Sequence, residues 1–530
     1  MKRLATLFLC LAMLCSMLPM SAAMADEEWL TLRVECFERS IPGFNLQDNL
    51  QLRYIQKNFG DPNHIKVEFV PVSRWEEETL LNTLLAGGTA PDICVTYGVE
   101  MVQQYVDMGG VLELDDLLAE YGQNLSAFLG EAVLEYGIMD VGDGPKRYYL
   151  HARLMDKNAR CYAIRQDWLD KLGMKEPTNQ EELYQFLVAA KENNLGGKIT
   201  IPWQTNLYTP DPLYGCGIAL DCFLDYDQIT EEDWFAYAGF RELMPGAKEY
   251  FRWFNKLYNE GLIPETFGLS NDDLEKQYLV MGYTGFQQMG RYDSPWSAQD
   301  GFQVELEKNV EGGEWTICNP FKNMYGDTMQ AKTGCTGLAF FIPNWVSEET
   351  AIAAMKYLDF LATPEHMYYL QNGEMGVNYT KVDENGIPLD LKATADVPNE
   401  YKMHAGDVVF IANGMNYGSD EINAKAAALA FPGYEDQIKK CIEYADVGAY
   451  YVPTFTGIIQ SRLDYGSTVT SKEAEFLVKV TTCKPEELDA TYDYWCNEIL
   501  KAGGDKIIEE QRAAYQAGEV RNSYPYADRK

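Results

Sequence analysis

Residues 65–98 read IKVEFVPVSRWEEETLLNTLLAGGTAPDICVTYG, and this stretch decides the fold. Apolar and polar side chains alternate over 65–70, which indicates a half-buried strand. The pattern S-x-x-E at 73–76 is a capping box and predicts a helix that ends at the glycine pair 87–88. The apolar run 90–95 predicts a second strand, short and buried. A strand, a helix and a strand in this order predict a βαβ unit and a parallel sheet.

The same alternation of strands and helices extends along the rest of the chain. Further strands are predicted over 30–37, 161–164 and 334–343, and further helices over 165–173, 178–191, 249–260, 347–361 and 487–515. The C-terminal third is mainly helical, and no low-complexity linker divides the chain. The sequence therefore predicts an α/β protein.

The composition excludes several classes of partner and reaction. The 530 residues include 80 acidic and 44 basic side chains, which give a formal net charge of −36 at pH 7. A nucleic-acid partner is not expected, because binding it needs clustered Lys and Arg and no basic run here exceeds two residues. The four histidines are too far apart for a histidine-based zinc motif. The sequence also lacks GxSxG, P-loop, GxGxxG and HExxH motifs.

The N-terminus has the pattern of a secretory signal peptide. Lys2 and Arg3 precede an apolar stretch over 4–20, and the small-x-small pattern at 23–25 is followed directly by acidic residues. We therefore expect cleavage near Ala25 and export to the periplasm or the cell surface. No cysteine stands in a lipid-attachment pattern, and no later stretch is apolar for long enough to cross a membrane.

Five segments, in this order, resemble motifs of family 1 extracellular solute-binding proteins, the sugar receptors of ABC importers. They are ETLLNTLLAGGTAPDI (78–93), RQDWLDKLG (165–173) with the PTNQEEL that follows it at 177–183, LYNEGLIP (257–264), YLDF (357–360) and GEMGVNY (373–379). The resemblance covers nearly all of the chain after the signal peptide.

The resemblance implies a two-lobed type II periplasmic-binding-protein fold, in which discontinuous α/β lobes are joined by a hinge and hold a ligand in the cleft between them. The implied organisation is a signal peptide (1–25), the first part of lobe 1 (26–160), the first part of lobe 2 (161–334), a return to lobe 1 (335–390) and a mainly helical part that is chiefly lobe 2 with a return to the hinge (391–530).

Within the family, the length and the motifs are most similar to long oligosaccharide receptors, the alginate-binding proteins among them. Those relatives have an Asp/Asn-rich calcium loop after the helix that here ends near Lys191. This chain has NNLGGKIT at 193–200, which lacks the carboxylates that Ca²⁺ prefers. We therefore expect no calcium, no other metal and no cofactor.

A sugar ligand needs flat aromatic surfaces for its C–H faces and polar side chains for its hydroxyls. The best candidates lie in polar, turn-rich segments, and relatives have a cleft-lining stretch at one of these. The candidate ligand-binding residues are Arg291, Tyr292, Asp293, Trp296, Trp203, Tyr208, Asn413, Tyr417 and Tyr97. The alternative interpretation is that these aromatics pack only on their own lobe.

The function that the sequence predicts is ligand binding without catalysis. A monomeric receptor would close its lobes on an oligosaccharide and deliver it to the transmembrane subunits of an ABC permease. A neutral ligand is favoured because a strongly acidic chain repels acidic glycans. Two alternatives stay open: a secreted glycoside hydrolase, for which no carboxylate pair stands out, and a protein that presents its ligand to a membrane sensor.

Overall fold

The computed structural model describes residues 29–142, 144–154, 161–205, 207, 212, 217–269, 272–289, 296, 302–332, 336–392 and 396–529. The expected signal peptide and four candidate site residues, Tyr208, Arg291, Tyr292 and Asp293, lie outside these ranges. Within the described ranges, none of the helices combines the length and the apolarity that a membrane crossing requires.

The described part contains sixteen strands, most of them short. They are β1 (Leu30–Glu38), β2 (Ile65–Ser73), β3 (Cys94–Thr96), β4 (Ile138–Asp140), β5 (Pro145–Arg147), β6 (Tyr149–Leu154), β7 (Cys161–Arg165), β8 (Ile201–Gln204), β9 (Thr284–Met289), β10 (Trp315–Cys318), β11 (Gln330–Lys332), β12 (Thr336–Phe341), β13 (Ala412–Asn413), β14 (Ala449–Tyr451), β15 (Thr454–Phe455) and β16 (Val520–Arg521).

Helices account for most of the remaining secondary structure. The α-helices are Leu50–Ile55, Asp61–Asn63, Glu77–Ala86, Val99–Asp107, Asp115–Tyr121, Gln123–Leu129, Glu131–Leu134, Gln166–Leu172, Gln180–Glu192, Gly217–Asp221, Glu231–Ala236, Ala247–Asn259, Asp272–Val280, Phe302–Asn309, Glu348–Ala362, Pro364–Asn372, Ala405–Val408, Asp420–Leu429, Glu435–Asp446, Gln460–Thr482, Leu488–Ile499 and Asp505–Gln516.

The predicted βαβ unit is confirmed. β1 and β2 pair in parallel along nine residues, from Leu30 opposite Ile65 to Glu38 opposite Ser73. A parallel bridge between Val34 and Ile93 then attaches the segment that leads into β3. The predicted capping box is wrong, because Ser73 is still paired in β2 and the helix begins only at Glu77.

The first lobe is completed by a mixed sheet in the order β13-β6-β12-β3. β12 runs antiparallel to both β3 and β6, and β13 runs parallel to β6. Apolar side chains of this sheet alternate between two clusters, with Phe340 in one and Phe341 in the other. Because successive strand side chains point to opposite faces, both faces of the sheet are covered.

The second lobe has its own sheet, in the order β10-β7-β9-β8, and its own core. β8 and β9 are parallel, whereas β7 runs antiparallel to β9 and β10. Trp168, Trp203, Phe254 and Phe286 are fully buried in this core, and the long C-terminal helix Gln460–Thr482 packs on it.

The chain passes between the lobes more than once. One passage follows β6, and another lies between β11 and β12, since β6 and β12 pair in the first lobe while β7 belongs to the second. Residues 408–412 pack in the first-lobe core, whereas Phe476 and Tyr524 pack in the second. The C-terminal part, 391–530, is therefore divided between the two cores.

Candidate functional site

One edge of the first lobe faces the hinge. β1, β2 and β3 run in the same direction, so their carboxyl ends meet at one edge. β6 and β13 also end there and β12 begins there, because Arg153 pairs with both Thr336 and Ala412. We call this the hinge edge, because the chain leaves the first lobe from the end of β6 and returns at the start of β12.

Tyr97 lies on the hinge edge directly after β3, and a buried carboxylate fixes its backbone. Glu77 accepts hydrogen bonds from Thr96 Oγ1 at 2.7 Å and from the Tyr97 backbone N–H at 2.9 Å. Thr96 is fully buried, whereas 39% of Tyr97 is exposed. A charged acceptor makes such hydrogen bonds strong, so the backbone at Tyr97 is held firmly.

Arg74 lies over the ring of Tyr97. Its guanidinium carbon is 4.1 Å from the Tyr97 ring centroid, 5.4 Å from that of Phe37 and 5.5 Å from that of Trp75. No described residue accepts a hydrogen bond from the guanidinium or forms an ion pair with it. We call Phe37, Arg74, Trp75 and Tyr97 the arginine–aromatic cluster; its five guanidinium N–H donors remain available to a ligand.

A second arginine at this edge forms a two-bonded ion pair with the protein. Arg39, directly after β1, donates through Nε and Nη2 to the two carboxylate oxygens of Asp407 at 2.7 and 2.9 Å. His404 Nδ1 lies 2.7 Å from Asp407 Oδ2. Burial would raise the pKa of Asp407, but its bonds to His404 and Arg39 outweigh burial and lower it. This pairing attaches the segment before β13 to the end of β1.

The structure places Asn413 on the same edge as Tyr97. It ends β13, and its side chain packs so closely on Gly337 that a Cβ atom there would lie 2.9 Å from the Asn413 Cβ. Tyr417 is instead held by the protein, because its hydroxyl donates to Asn372 Oδ1 at 2.8 Å. Burial raises the pKa of Tyr417 to about 12.

Trp203 and Trp296 occupy interior positions in the second lobe. Trp203 is fully buried, with ring centroids of Phe254 and Phe286 at 5.7 and 5.1 Å. Trp296 is 2% exposed and faces Tyr434 at 6.5 Å, beside a cavity of about 470 Å³. Every residue that lines this cavity belongs to the second lobe, so neither tryptophan joins the hinge-edge residues.

The second lobe offers amide side chains at its own hinge-facing edge, where β8, β9 and β10 end and β7 begins. Gln204 and Asn319 lie at this edge. Both amide atoms of buried Gln204 and the Oδ1 atom of Asn319 have no hydrogen-bond partner among the described residues. Buried amide groups are normally paired, so this edge keeps hydrogen-bonding capacity that no described residue uses.

Of the candidates that the sequence offers, Tyr97 and Asn413 lie on the hinge edge; Arg74 and Trp75 also lie there but were not among the candidates. Both were assigned to a capping box at the start of a helix. Trp75 could have been found from the sequence as an aromatic residue in the turn after a strand, which is the criterion that selected Tyr97. Among the described side chains, no cluster of three or more His, Cys, Asp or Glu residues could hold a metal ion.

Comparison with known proteins shows which protein family the chain belongs to. Residues 55–378 match the model of the bacterial extracellular solute-binding protein family, and the chain belongs to this family. The lipoprotein LipO of Bacillus subtilis (strain 168) is 25% identical over 352 residues, which are 63% of this chain. The match spans 64% of LipO, slightly less than two thirds of its length.

Solved structures share the architecture across the chain. The calcium-free alginate-binding protein AlgQ2 is 19% identical, with a TM-score of 0.61 over 92% of this chain and 99% of AlgQ2. A human-milk-oligosaccharide (HMO) binding, ABC-transporter-associated solute-binding protein from Bifidobacterium longum infantis is 15% identical, with a TM-score of 0.62 over 93% and 99% of the two chains. The protein has the two-lobed type II periplasmic-binding-protein fold, and it is an exported solute-binding protein.

Proposed function

We propose that the protein binds an oligosaccharide in the cleft between its lobes and delivers it to an ABC permease. The observation that carries this proposal is the arginine–aromatic cluster on the hinge edge. It combines exposed aromatic surface with a guanidinium that has no hydrogen-bond or ion-pair partner among the described residues. The fold likeness to proteins named for binding alginate and milk oligosaccharides supports the choice of ligand class.

The two hinge-facing edges offer what a sugar requires. Aromatic rings bury the C–H face of a pyranose, and fixed polar groups exchange hydrogen bonds with its hydroxyls. The first lobe supplies the ring surface and Arg74, and the second supplies the amides of Gln204 and Asn319. Closure of the cleft would bring the two sets against one ligand and exclude water from it.

The charges of the first-lobe edge favour a neutral ligand. Arg39 is neutralised by Asp407. Burial, together with the neighbouring Glu77 and Glu100, raises the pKa of Glu78, and the nearby charge of Arg74 opposes this shift. The charges of Glu78 and Arg74 therefore interact at this edge. An edge with no excess of positive charge gains little from an acidic sugar in a chain of net charge −36.

Transport would follow from a shift in the open–closed equilibrium. A ligand that contacts both lobes binds the closed state better, and the population moves by that difference in affinity. The closed form would then dock on the permease. We propose no catalytic step, because the carboxylates of Glu77 and Asp407 at this edge are already bonded to protein donors.

The test is a binding screen on the mature chain. Maltotetraose, kestose and lacto-N-tetraose represent neutral oligosaccharides, and an alginate tetrasaccharide represents acidic ones. We expect at least one neutral sugar to raise the melting temperature by a few degrees at about one hundred times its Kd. Calorimetry should show one site per chain.

Chromatography of the sugar after incubation separates the alternatives. The proposal requires the sugar to be recovered intact. Shortened fragments would show a glycoside hydrolase, and selective binding of the alginate fragment would contradict a neutral ligand. Binding of no sugar at any length would overturn the proposal.

A further inference from the structure

Trp75 is far more exposed than any other tryptophan whose surroundings the structure describes. Its exposed fraction is 84%, against 43% for Trp29 and Trp345, and Trp168, Trp203, Trp234 and Trp315 are fully buried. Leaving an indole in water forgoes the gain that burial would give. Trp75 is not isolated, because Tyr97 in the same cluster and Leu80 nearby in the chain are exposed as well.

The position of Trp75 is fixed by its neighbours in the chain. Ser73 is the last residue of β2, and the helix that follows begins at Glu77. Trp75 therefore stands in the turn at the hinge edge as the second residue after β2, whereas Tyr97 is the first residue after β3. Leu80 on the first turns of that helix is also exposed, at 38%.

Tyr97 is less accessible to a ligand than its sequence position suggests. The Arg74 guanidinium lies over its ring at 4.1 Å, and the Phe37 ring lies alongside it at 6.2 Å and 19° between planes. A cation at this distance over a tyrosine face makes an attractive contact that a stacked sugar would have to displace. Tyr97 is thus suited to hold Arg74 in place.

We propose that Trp75 is the first-lobe residue that stacks on a sugar ring, with Arg74 beside it donating to hydroxyls of the same sugar and Tyr97 supporting Arg74. The proposal rests on the oligosaccharide-binding function proposed above. The guanidinium carbon lies 5.5 Å from the Trp75 ring centroid, farther than its 4.1 Å from that of Tyr97, and 84% of Trp75 remains exposed to a ligand. The ligand class that this pair fits is a sugar with an apolar C–H face, such as a glucose- or galactose-type residue.

The main experiment compares three variants with the native chain. Trp75→Ala removes the ring, Trp75→Phe retains a smaller one, and Trp345→Ala is the matched control. Trp345 is also exposed, but it follows the end of β12 that lies opposite the hinge edge. Affinity is measured by calorimetry with the neutral oligosaccharide that stabilises the native chain most in the screen.

We expect Trp75→Ala to raise Kd at least tenfold, Trp75→Phe to raise it less, and Trp345→Ala to leave it within twofold. All three variants should unfold at the same temperature as the native chain without sugar, because exposed side chains contribute little to the core. An unchanged Kd in Trp75→Ala would overturn the assignment of Trp75 while leaving the proposed function intact.

Acrylamide quenching gives a second readout that does not depend on affinity. The quenching difference between the native chain and Trp75→Phe reports Trp75 alone. Saturating sugar should remove most of this difference if the sugar covers the indole. A difference that persists at saturation would contradict stacking. If the quenching difference persists, and if Trp75→Ala loses sugar uptake while its Kd is unchanged, the exposed ring contacts the permease instead of the sugar. This result also overturns the proposal.

Discussion

At the scale of single residues, the two arginines of the hinge edge differ in what they can still bind. Arg39 donates hydrogen bonds through Nε and Nη2 to Asp407. Arg74 instead lies over the Tyr97 ring, and no described residue accepts a hydrogen bond from its N–H groups. A guanidinium held by ring contacts loses little conformational freedom when a ligand arrives. Arg74, whose N–H groups have no acceptor among the described residues, is therefore the arginine better suited to recognise a sugar.

This difference predicts the effect of Arg74→Gln. The variant loses charge-assisted donors to the ligand, so we expect a roughly tenfold higher Kd for the best neutral oligosaccharide, measured by calorimetry. Arg252→Gln is the control, because it removes the same charge from an exposed arginine that pairs with Glu249 and Asp489 in the second lobe. Equal Kd values for the two variants would contradict a ligand contact by Arg74.

Burial explains why the sequence favours Trp203 as a candidate and does not single out Trp75. Trp203 and Trp75 both stand beside polar, turn-forming residues, yet one is fully buried and the other is 84% exposed. The difference comes from Phe254 and Phe286, which pack on Trp203 from distant parts of the chain. Local composition carries no information about such partners.

At the scale of elements, local patterns predicted strands and helices well and their partners poorly. The helix expected over 347–361 is Glu348–Ala362, with Ser347 accepting from the Thr350 backbone N–H at 3.1 Å. The parallel pairing of β1 and β2 was also predicted. The antiparallel pairing of β12 with β3 and β6 was not, because it joins segments that are about 245 and about 190 residues apart, respectively.

His151 in β6 shows how the packing of these elements affects stability. The ring is buried, and its Nδ1–H donates to the Gly337 carbonyl of β12 at 3.0 Å. Burial lowers the pKa of His151 to about 4, and the nearby charge of Arg521 acts in the same direction. The folded protein therefore keeps this histidine neutral at pH values where the unfolded chain protonates it.

The sign of this shift predicts a loss of stability in acid. The neutral, buried His151 ring costs the folded state nothing above the unfolded pKa of about 6.5. The free energy of unfolding then falls by up to about 3 kcal/mol as the pH drops to about 4, because the unfolded chain takes up a proton that the folded protein does not. In urea unfolding between pH 7 and pH 5, His151→Gln should lose less stability than the native chain, by roughly 2 kcal/mol. If the native chain and His151→Gln lost the same free energy of unfolding between pH 7 and pH 5, this would contradict a neutral, buried His151.

At the scale of the whole molecule, the lobes are discontinuous in sequence and are tied together near the hinge. The C-terminal strand β16 pairs with β15, and Arg521 Nη2 donates across to the Glu135 carbonyl at 2.6 Å. Its guanidinium also lies over the Tyr136 ring at 4.8 Å. Family motifs implied the two lobes, but this contact depends on residues that no motif contains.

Closure of the lobes on an oligosaccharide would make the molecule more compact, and small-angle X-ray scattering measures this change directly. The mature chain is compared without sugar and with saturating amounts of the neutral oligosaccharide that binds best. We expect a smaller radius of gyration with the sugar than without it. We also expect the same sugar to be recovered intact from the sample. An identical scattering profile at full saturation would contradict it.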